Sequence, residues 1–446
     1  MIGRKNFFFL LAILAFALVN GLALGYINWG FKDPQGLVSY NKIALAVIHN
    51  FDFHDENMLF PAFFRRPPGY PLVLALSYFI FGENFSAVVA LNVLLLLFSI
   101  VILWRLSSRF LDGMWSLFPS FCLSVWWGAT THVWETNSDL FALFLTVFFA
   151  WTAIRFEETR AGRWIFVSAF SLALLVLTKP VVLYAVPLFV ILFFLTLRPF
   201  IIKTALESFA ALLIIVVLVG SWSLYSYKEM GTFQLSSSSL TLLRRADDVE
   251  MDTRRIKAFL ISSIVGDYIA GKFFPEYARD PEPVTEKTVE REKKYQSLLT
   301  ADRSNATHIE ELAYKEAFDL IRANPIKFLL TGLIYLPRLN MPVNLKGIEI
   351  SHIFVDTYRA IPSILKIGML LAVFITWFLF VAIVFYAFYK KIHLWKSWGV
   401  MLVLIFCFNA LYILASHAEA RYVLPVMPFY FLLFGDFLAN IKKISL

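Results

Sequence analysis

Long apolar runs constrain the fold of this 446-residue chain more than any other feature of its sequence. Several runs reach the roughly 17–25 residues that a helix needs to cross the hydrocarbon core of a bilayer, among them 7–24, 86–106, 204–222 and 365–389. Because 59% of the residues are hydrophobic and only 16% are charged, the chain falls outside the range of soluble globular domains. The sequence therefore predicts a polytopic membrane protein with helical spans.

Positive charge is in excess, with a formal net charge of +8. The basic residues cluster in short loops beside the apolar runs, where they orient the spans during insertion, so we predict no nucleic-acid partner. Arg4 and Lys5 precede the first apolar run. That run is long for a signal sequence and ends in a poor cleavage site, so we interpret it as an uncleaved anchor.

A consistent topology results when all the short basic loops lie in the cytoplasm, with both termini there as well. It predicts an all-α polytopic protein of a cell membrane, the inner or plasma membrane, with roughly ten spans. The predicted spans are 7–24, 86–106, 113–131, 137–155, 163–179, 181–198, 204–222, 361–389, 397–415 and 421–440. Two further apolar segments, 67–81 and 325–342, are predicted to lie at the outer surface or to re-enter the membrane, because a full span at 325–342 would put the Lys390 to Lys396 loop outside.

Three domains follow from this topology. Residues 1–222 form an N-terminal transmembrane module that includes a first external loop at 26–85. Residues 223–343, which are rich in charged residues, form an extracytoplasmic domain of mixed secondary structure with an interfacial helix. Residues 344–446 form a C-terminal transmembrane module.

Polar residues near the predicted span ends and in the first loop all fall on the outer side, so one water-filled cavity there is able to hold them. Ionisable groups at membrane depth are candidates for function because an unpaired charge there is costly. The candidates are Asp33, Tyr40, His54, Asp55, Glu56, Arg65, Arg66, Tyr70, His132, Glu135, Asp139, Lys179, His417, Glu419 and Arg421.

Structural interpretations stand beside the functional ones for the charged candidates. Lys179 and Arg421 also fit a purely structural role, in which their long side chains only extend to the membrane–water interface. Glu135 and Asp139 are four residues apart, which places them on one helical face, where they also fit pairing with a basic neighbour.

The His and Tyr candidates have similar alternatives. His132 and His417 are typical of aqueous loops rather than metal ligands, since no second ligand follows at a fixed spacing. Tyr40 and Tyr70 are typical of interfacial aromatic belts.

The first loop ends in adjacent arginines and a stiff turn, Arg65-Arg66-Pro67-Pro68-Gly69-Tyr70-Pro71. Two neighbouring guanidinium groups need an anionic partner, and phosphate suits their bidentate geometry. Acids together with Lys and Arg at a lipid–water boundary therefore indicate chemistry on a phosphate-linked substrate held by a lipid tail. A carboxylate would take the proton of an attacking hydroxyl while basic groups hold the leaving phosphate, and neither role requires a metal.

No cofactor is predicted. The two cysteines, Cys122 and Cys407, lie within apolar runs and form no zinc-type spacing with histidine. A divalent cation is left open, without a strong ligand set to support it.

The order of short motifs along the chain resembles the GT-C membrane glycosyltransferases, in particular the bacterial relatives of dolichyl-phosphate-mannose protein mannosyltransferases and of the lipid A aminoarabinose transferase. Each motif is weak alone, but their order and spacing together are fairly specific. The motifs are the acidic first loop with Asp33, Arg66 to Pro71 followed by Phe81-Gly82, Ser138-Asp139-Leu140, Thr178-Lys179-Pro180, Trp222, Gly231-Thr232-Phe233, Asn324-Pro325, and Arg421 to Pro425 with Pro428.

The resemblance implies an inverting transferase that moves one sugar, a hexose or pentose, from a polyprenyl-phosphate donor to a protein, lipid or cell-envelope glycan outside the cytoplasm. It implies a first-loop aspartate as general base, and Asp33 is the best match. Relatives place a tyrosine three or four residues after the acid, whereas Tyr40 follows Asp33 by seven, so Asp55 and Glu56 remain alternatives.

The same resemblance implies further roles. Asp139 matches a second acidic position, and Glu135 lies one turn earlier. Arg66, Lys179 and Arg421 would hold the donor phosphate.

Two other classes of function stay open at this point. One is a transporter or flippase of lipid-linked sugars, against which stand the missing inverted repeat and the gathering of candidates at one face. The other is a non-catalytic assembly subunit that docks partners through the external domain.

Overall fold

The computed structural model describes residues 4–29, 38–50, 53, 66–196, 202–231, 233–236, 239–265, 270–271, 273–275, 286–301, 306–340, 362–415 and 420–444. Within these ranges the chain is almost entirely helical and contains no β-strand. The predicted all-α fold class is confirmed. The chain forms two compact units that interleave along the sequence. The domain boundaries predicted after residues 222 and 343 divide the chain into consecutive segments, and they stay predictions.

The first unit comprises Met1–Ser236, Ile383–Cys407 and Leu424–Leu446. The helices described in its first segment are α1 (Arg4–Trp29), α2 (Val38–Asn50), α3 (Gly69–Phe81), α4 (Phe85–Ser107), α5 (Phe118–Val125), α6 (Trp127–Thr130), α7 (Asp139–Thr159), α8 (Gly162–Thr178), α9 (Val186–Thr196) and α10 (Ile202–Met230).

The second unit comprises Ser237–Ala382 and Phe408–Val423. Its first described helices are α11 (Ser239–Ala246), α12 (Thr253–Val265), α13 (Glu286–Ala301), α14 (Ala306–Ala323) and α15 (Pro325–Asn340). Three helices complete the described chain, namely α16 (Ser363–Lys391), α17 (Trp395–Ala415) and α18 (Met427–Ile444).

Among the described residues, six helical stretches are long and apolar enough to cross a membrane, judged by length and composition. They are Lys5–Leu24, Phe85–Ser107, Asp139–Thr159, Leu206–Glu229, Leu371–Leu414 and Arg421–Ile441. Shorter apolar helices occupy Gly69–Phe81, Gly113–Val125, Gly162–Thr178 and Pro180–Ile191. A multi-pass membrane protein is therefore confirmed, while the number of ten spans stays a prediction.

One predicted span, 113–131, is not a continuous helix. A 3-10 turn at Gly113–Leu117 precedes α5, and Trp126 takes an extended backbone conformation between α5 and α6. The Trp126 ring folds over Gly128, where an added Cβ would lie 2.5 Å from the ring. Because Gly128 has no side chain, the Trp126 ring packs directly against it. The chain therefore bends where the apolar run alone predicts a straight helix.

The core of the first unit is built around α7, which packs against α4 on one side and α8 on another, while α8 also packs against α10. Helix α7 is buried on most of its surface. Small polar groups join α7 and α8, since the Ser168 hydroxyl donates to Thr152 Oγ1 at 2.9 Å. Such hydroxyl contacts are common between helices in membranes, where a polar group needs a partner.

The described part of segment 223–343 is helical, whereas the sequence predicts a domain of mixed secondary structure. In α14 the buried residues Ile309, Ala313 and Ala317 recur every four positions. This spacing is close to the 3.6-residue period of a helix and places these side chains on one buried face, while Glu311, Lys315 and Asp319 are exposed, which favours a helix over a strand.

A buried arginine organises the second unit. Arg245 is fully buried and bonds with α15 and with residues near the end of α17. Its guanidinium donates to Asp248 Oδ2 at 3.0 Å, to the Phe328 carbonyl at 2.5 Å and to the Ile413 carbonyl at 2.9 Å. Because a buried charge must be paired and hydrogen-bonded, this residue fixes the positions of three separate chain segments within the unit.

Candidate functional site

The candidate site lies in the first unit, around the irregular segment between α6 and α7. Asn92, in the middle of α4, is 1% exposed. Its amide nitrogen donates to the carbonyls of His132, Val133 and Glu135 at 3.3, 3.2 and 3.0 Å. The buried amide thus lies within hydrogen-bond distance of three backbone carbonyls and, through its two N–H groups, ties the segment to α4.

A polar cluster forms within this segment. Glu135 Oε2 lies 2.6 Å from His132 Nδ1 and also accepts from the Asn137 amide. Asn137 Nδ2 is 2.9 Å from the same histidine nitrogen, and Asn137 Oδ1 accepts from the backbone N–H of Asp139 at 3.0 Å. The cluster therefore fixes both the His132 ring and the first residue of α7.

This arrangement corrects one prediction. Spacing predicts Glu135 and Asp139 on one helical face, but α7 begins at Asp139 and Glu135 lies outside the helix. The reason is the Asn137 side chain, which replaces a helical backbone bond at Asp139. Glu135 pairs with His132, while Asp139 pairs with a lysine on another helix.

That lysine is Lys179, whose Nζ lies 2.5 Å from Asp139 Oδ1. The Asp139 side chain is 2% exposed and that of Lys179 is 13% exposed. Asp139 starts α7 and Lys179 follows the last residue of α8, since Pro180 prevents further helix. A carboxylate at a helix N-terminus and an ammonium at a helix C-terminus each interact favourably with the helix dipole, so the two helix ends support the pair.

Two tyrosines lie beside this pair. The hydroxyls of Tyr40 in α2 and Ser138, the residue before Asp139, are 3.3 Å apart. The rings of Tyr40 and Tyr70 meet edge to face at 5.2 Å, and both residues are buried. They pack inside the unit rather than on its surface, which favours the cavity interpretation over the interfacial-belt interpretation.

The arginine of the Arg-Pro-Pro-Gly-Tyr-Pro turn reaches the same place. The Arg66 guanidinium lies 5.1 Å from the centre of the Tyr40 ring, a cation–π distance. Gly69 opens α3 directly against the end of α8, where an added Cβ would lie 2.4 Å from Thr178 Oγ1 and 2.9 Å from the Leu177 carbonyl group. The glycine is therefore needed for this close approach, which brings the turn to the start of the Lys179 segment.

Several predicted residues lie outside the described residues, so their roles stay predictions. They are Asp33, His54, Asp55, Glu56, Arg65, His417 and Glu419. Arg421 is described, in the 3-10 helix Ala420–Val426 of the second unit, with its guanidinium 5.5 Å from the Tyr422 ring. Its predicted contact with the donor phosphate also stays a prediction.

No group of three or more His, Cys, Asp and Glu side chains able to hold a metal ion occurs among the described residues. The expectation of no metal remains an expectation.

Two site residues escape the motif analysis, namely Asn92 and Asn137. Asn92 had a readable signal, because it is a polar amide within the apolar run 86–106, where such a residue needs a partner. Asn137 had a weaker signal, since asparagine is common just before a helix start. Their actual partners depend on the tertiary fold.

Residues 65–223 match the family model of dolichyl-phosphate-mannose-protein mannosyltransferases. The matched segment is about a third of the chain and contains Arg66, Asp139 and Lys179. The resemblance predicted from the motifs is thus confirmed over this segment. A search of curated protein sequences gives no match to the chain.

Solved structures also show similarity. ArnT from Cupriavidus metallidurans bound to undecaprenyl phosphate aligns with a TM-score of 0.41 and 14% identity over 99% of this chain and 79% of that chain. The oligosaccharyltransferase AglB from Archaeoglobus fulgidus, in complex with an inhibitory peptide and a dolichol-phosphate, aligns with a TM-score of 0.47 and 12% identity. That alignment covers 99% of this chain and 52% of AglB, so the chain spans about half of AglB's length.

Proposed function

We propose that this chain is a membrane glycosyltransferase that moves a single sugar from a polyprenyl-phosphate-linked donor to an acceptor at the outer face of the membrane, with inversion at the sugar carbon. The observation that carries the proposal is the buried Asp139–Lys179 ion pair, which lies beside Arg66, Tyr40 and Tyr70. All of these residues except Tyr40 belong to the segment that matches a family whose name specifies a lipid-phosphate sugar donor.

Lys179 and Arg66 are the proposed contacts to the donor phosphate. An ammonium group held at the mouth of a buried site stabilises the charge that develops on the departing phosphate. Asp139 is 2% exposed and bonded to Lys179, so we assign it to positioning the lysine rather than to taking a proton from the acceptor. Glu135 serves in the same way toward His132, at 2.6 Å.

The proton of the acceptor hydroxyl goes to a first-loop carboxylate. Asp33 is the proposed base, and Asp55 and Glu56 are its alternatives. A phosphate leaving group needs no proton donor at neutral pH, so a single base and cationic stabilisation suffice. General base catalysis contributes roughly 10²–10⁴-fold, and the remainder of the rate enhancement comes from positioning and from charge stabilisation. The acceptor belongs to the proteins, lipids or glycans of the cell envelope.

Sugar transfer in isolated membranes tests the base. Asp33→Asn should reduce transfer by at least about 10²-fold while donor binding and expression stay near those of the parent. Asp55→Asn and Glu56→Gln serve as matched controls, because each removes one carboxylate from the same loop. If Asp33→Asn is fully active and one control variant loses activity, the residue changed in that control is the base. Activity in all three variants would exclude a first-loop base.

Donor binding tests the phosphate contact. Lys179→Gln should weaken binding of the donor lipid by about tenfold, because it removes a charge-assisted contact. Lys396→Gln, which removes the same charge from an exposed position in α17, should leave donor binding unchanged. Equal donor affinity of the parent and Lys179→Gln would contradict the assignment.

A further inference from the structure

A second polar cleft lies in the first unit, at the other end of α7 from Asp139. Its volume is about 580 Å³. Its walls come from the C-terminal ends of α4 and α7 and from the first turn of α8. The proposed catalytic residues take no part in it.

The position of this cleft along α7 sets its depth in the membrane. Arg155 in the cleft is 16 residues after Asp139, which corresponds to about 24 Å along a helix. The whole of α7 has 21 residues, or about 31 Å, close to the thickness of the hydrocarbon core. If α7 spans the bilayer, the cleft and the candidate site therefore lie near its opposite surfaces.

Positive charge dominates the lining of the cleft. Arg105, Arg109 and Arg155 line it together with a single carboxylate, Glu158. Glu158 pairs with Arg109 at 2.5 Å and with Arg155 at 2.9 Å, and Glu157 lies 3.7 Å from Arg109. Arg105 has no carboxylate within salt-bridge distance in the described part of the chain. An anion that entered the cleft would find one arginine without an ionic partner and two more at its walls.

An indole completes the cleft. Trp164 lines it and meets Trp151 edge to face at 5.2 Å. The Nε1–H of Trp164 is buried and has no hydrogen-bond acceptor among the described residues. Buried donors are nearly always satisfied, so this N–H is a second polar group of the cleft residues that lacks an acceptor. Tryptophan also prefers the depth of lipid headgroups.

We propose that this cleft binds the phosphodiester headgroup of an anionic phospholipid from the leaflet at that end of α7. The arginine guanidinium groups suit the two unesterified phosphate oxygens, and the Trp164 N–H suits a phosphate or ester oxygen. Val101 and Ile102, which line the cleft on the membrane side of Arg105, would contact the upper acyl chains. Basic pockets between membrane helices are recognised sites for such headgroups. The proposal is independent of the proposed sugar transfer.

Native mass spectrometry of the full-length, delipidated protein tests the proposal. The protein is titrated with phosphatidylglycerol, with zwitterionic phosphatidylcholine and with inorganic phosphate alone. Phosphatidylglycerol should bind at lower concentration than phosphatidylcholine. Arg105→Gln should weaken phosphatidylglycerol binding by about fivefold, the value expected for one basic residue near the headgroups. Trp164→Phe, which keeps an aromatic ring and removes the N–H, should weaken it as well.

The control is Lys396→Gln, which removes an equal charge from an exposed residue that does not line the cleft. It should bind phosphatidylglycerol like the parent. Equal binding of the two lipids would overturn the proposal, as would unchanged binding in both Arg105→Gln and Trp164→Phe or an equal loss in Lys396→Gln. Displacement of phosphatidylglycerol by equimolar inorganic phosphate would show that the cleft takes free phosphate and would also overturn the lipid assignment.

Discussion

The Asp139–Lys179 pair is unequal in its burial, and this inequality has consequences for stability. The aspartate side chain is almost fully buried at 2% exposure, whereas the lysine at 13% retains access to water. Loss of the lysine leaves a buried carboxylate without this partner. Loss of the aspartate leaves a long, flexible ammonium that is able to turn toward solvent.

We expect Lys179→Met to lower the free energy of unfolding by about 3–5 kcal/mol, because it removes the ammonium group that pairs with a buried carboxylate. Asp139→Asn should lower it by a smaller amount, about 1–3 kcal/mol, the cost of one unmade buried hydrogen bond. Unfolding of the purified protein in detergent, followed by circular dichroism, measures both values.

The double variant Asp139→Asn/Lys179→Met provides the control. Its loss of stability should be smaller than the sum of the single losses, because the two residues interact directly. Strict additivity, or a larger loss for Asp139→Asn than for Lys179→Met, would contradict the buried pair.

At this scale the sequence selects residues that lie close together in the structure, but it does not predict their partners. Residue type and predicted topology suffice to select Asp139, Lys179 and Arg66, because charges beside membrane spans are rarely neutral in function. Nothing in the spacing indicates that Asp139 pairs with a residue 40 positions away. That contact depends on α7 and α8 packing side by side, which only the tertiary fold establishes.

Among the helices, the contact between α3 and α8 carries the geometry of the site. Gly69 lies where any side chain would meet Thr178 and the Leu177 backbone. Backbone atoms cannot move aside as the end of a flexible side chain can, so a Cβ here would push the two helices apart.

Gly69→Ala should therefore lower the free energy of unfolding by about 1–3 kcal/mol through overpacking, and it should reduce donor binding because the Arg66 turn moves with α3. Gly220→Ala is the matched control, because Gly220 lies within α10 and an added Cβ there meets no atom within 4 Å. That variant should be neutral or more stable by about 0.5–1 kcal/mol, since alanine is the better helix former. Thermal unfolding in detergent compares them, and equal effects of the two substitutions would refute the tight contact.

In the second unit, a carboxylate in the 3-10 helix Asp247–Glu250 gives a pH dependence. Burial raises the pKa of Asp247 from 3.8 to about 6, against the opposing effect of the Arg291 guanidinium from α13. Its neighbour Glu250 behaves in the opposite way. Burial raises the pKa of that group, but the hydrogen bonds and charges of Arg291 and Lys287 together lower it by more.

A raised pKa in the folded state means that Asp247 stabilises the fold fully below pH 4 and loses this contribution as the pH rises through about 6. Asp247→Asn has no ionisable group at this position, so this loss of stability with rising pH is absent in the variant. Relative to the parent, the variant should become more stable as the pH rises from about 4 to about 7, by up to about 3 kcal/mol. Unfolding at several pH values measures the difference.

Asp319→Asn, which changes an exposed carboxylate in α14, is the control and should show no such trend. A variant Asp247→Asn that becomes less stable relative to the parent as the pH rises would contradict the assignment.

At the level of elements, apolar periodicity predicts most helices well, because a bilayer permits few alternatives to helices. It fails at 113–131, where the chain forms a 3-10 turn and the short helices α5 and α6 instead of one span, with the Trp126 ring packed over Gly128. It also fails to show that the described part of the charged segment 223–343 is mostly helical, since the many charged residues hide the apolar stripe of α14.

For the whole molecule, composition and charge distribution predict a multi-pass helical membrane protein, and the order of motifs predicts the family that residues 65–223 match. The proposed reaction requires that groups from the first loop, α3, α7 and α8 meet. Sequence order separates these elements by more than a hundred residues. The function predicted from the motifs is therefore a hypothesis about one site, and a measurement of sugar transfer tests it.

The most direct measurement is mass spectrometry of lipids extracted from a strain that lacks this protein and is complemented with the parent chain, with Asp33→Asn or with an empty vector. We expect one polyprenyl-phosphate monosaccharide to accumulate in the strain that lacks the protein. This lipid should lie in the outer leaflet, where impermeant periodate oxidises it. Its amount should return to the normal level only with the parent chain. Accumulation in the inner leaflet would indicate a flippase instead. Unchanged lipid-linked sugars in the deletion strain would contradict the proposed transfer outright.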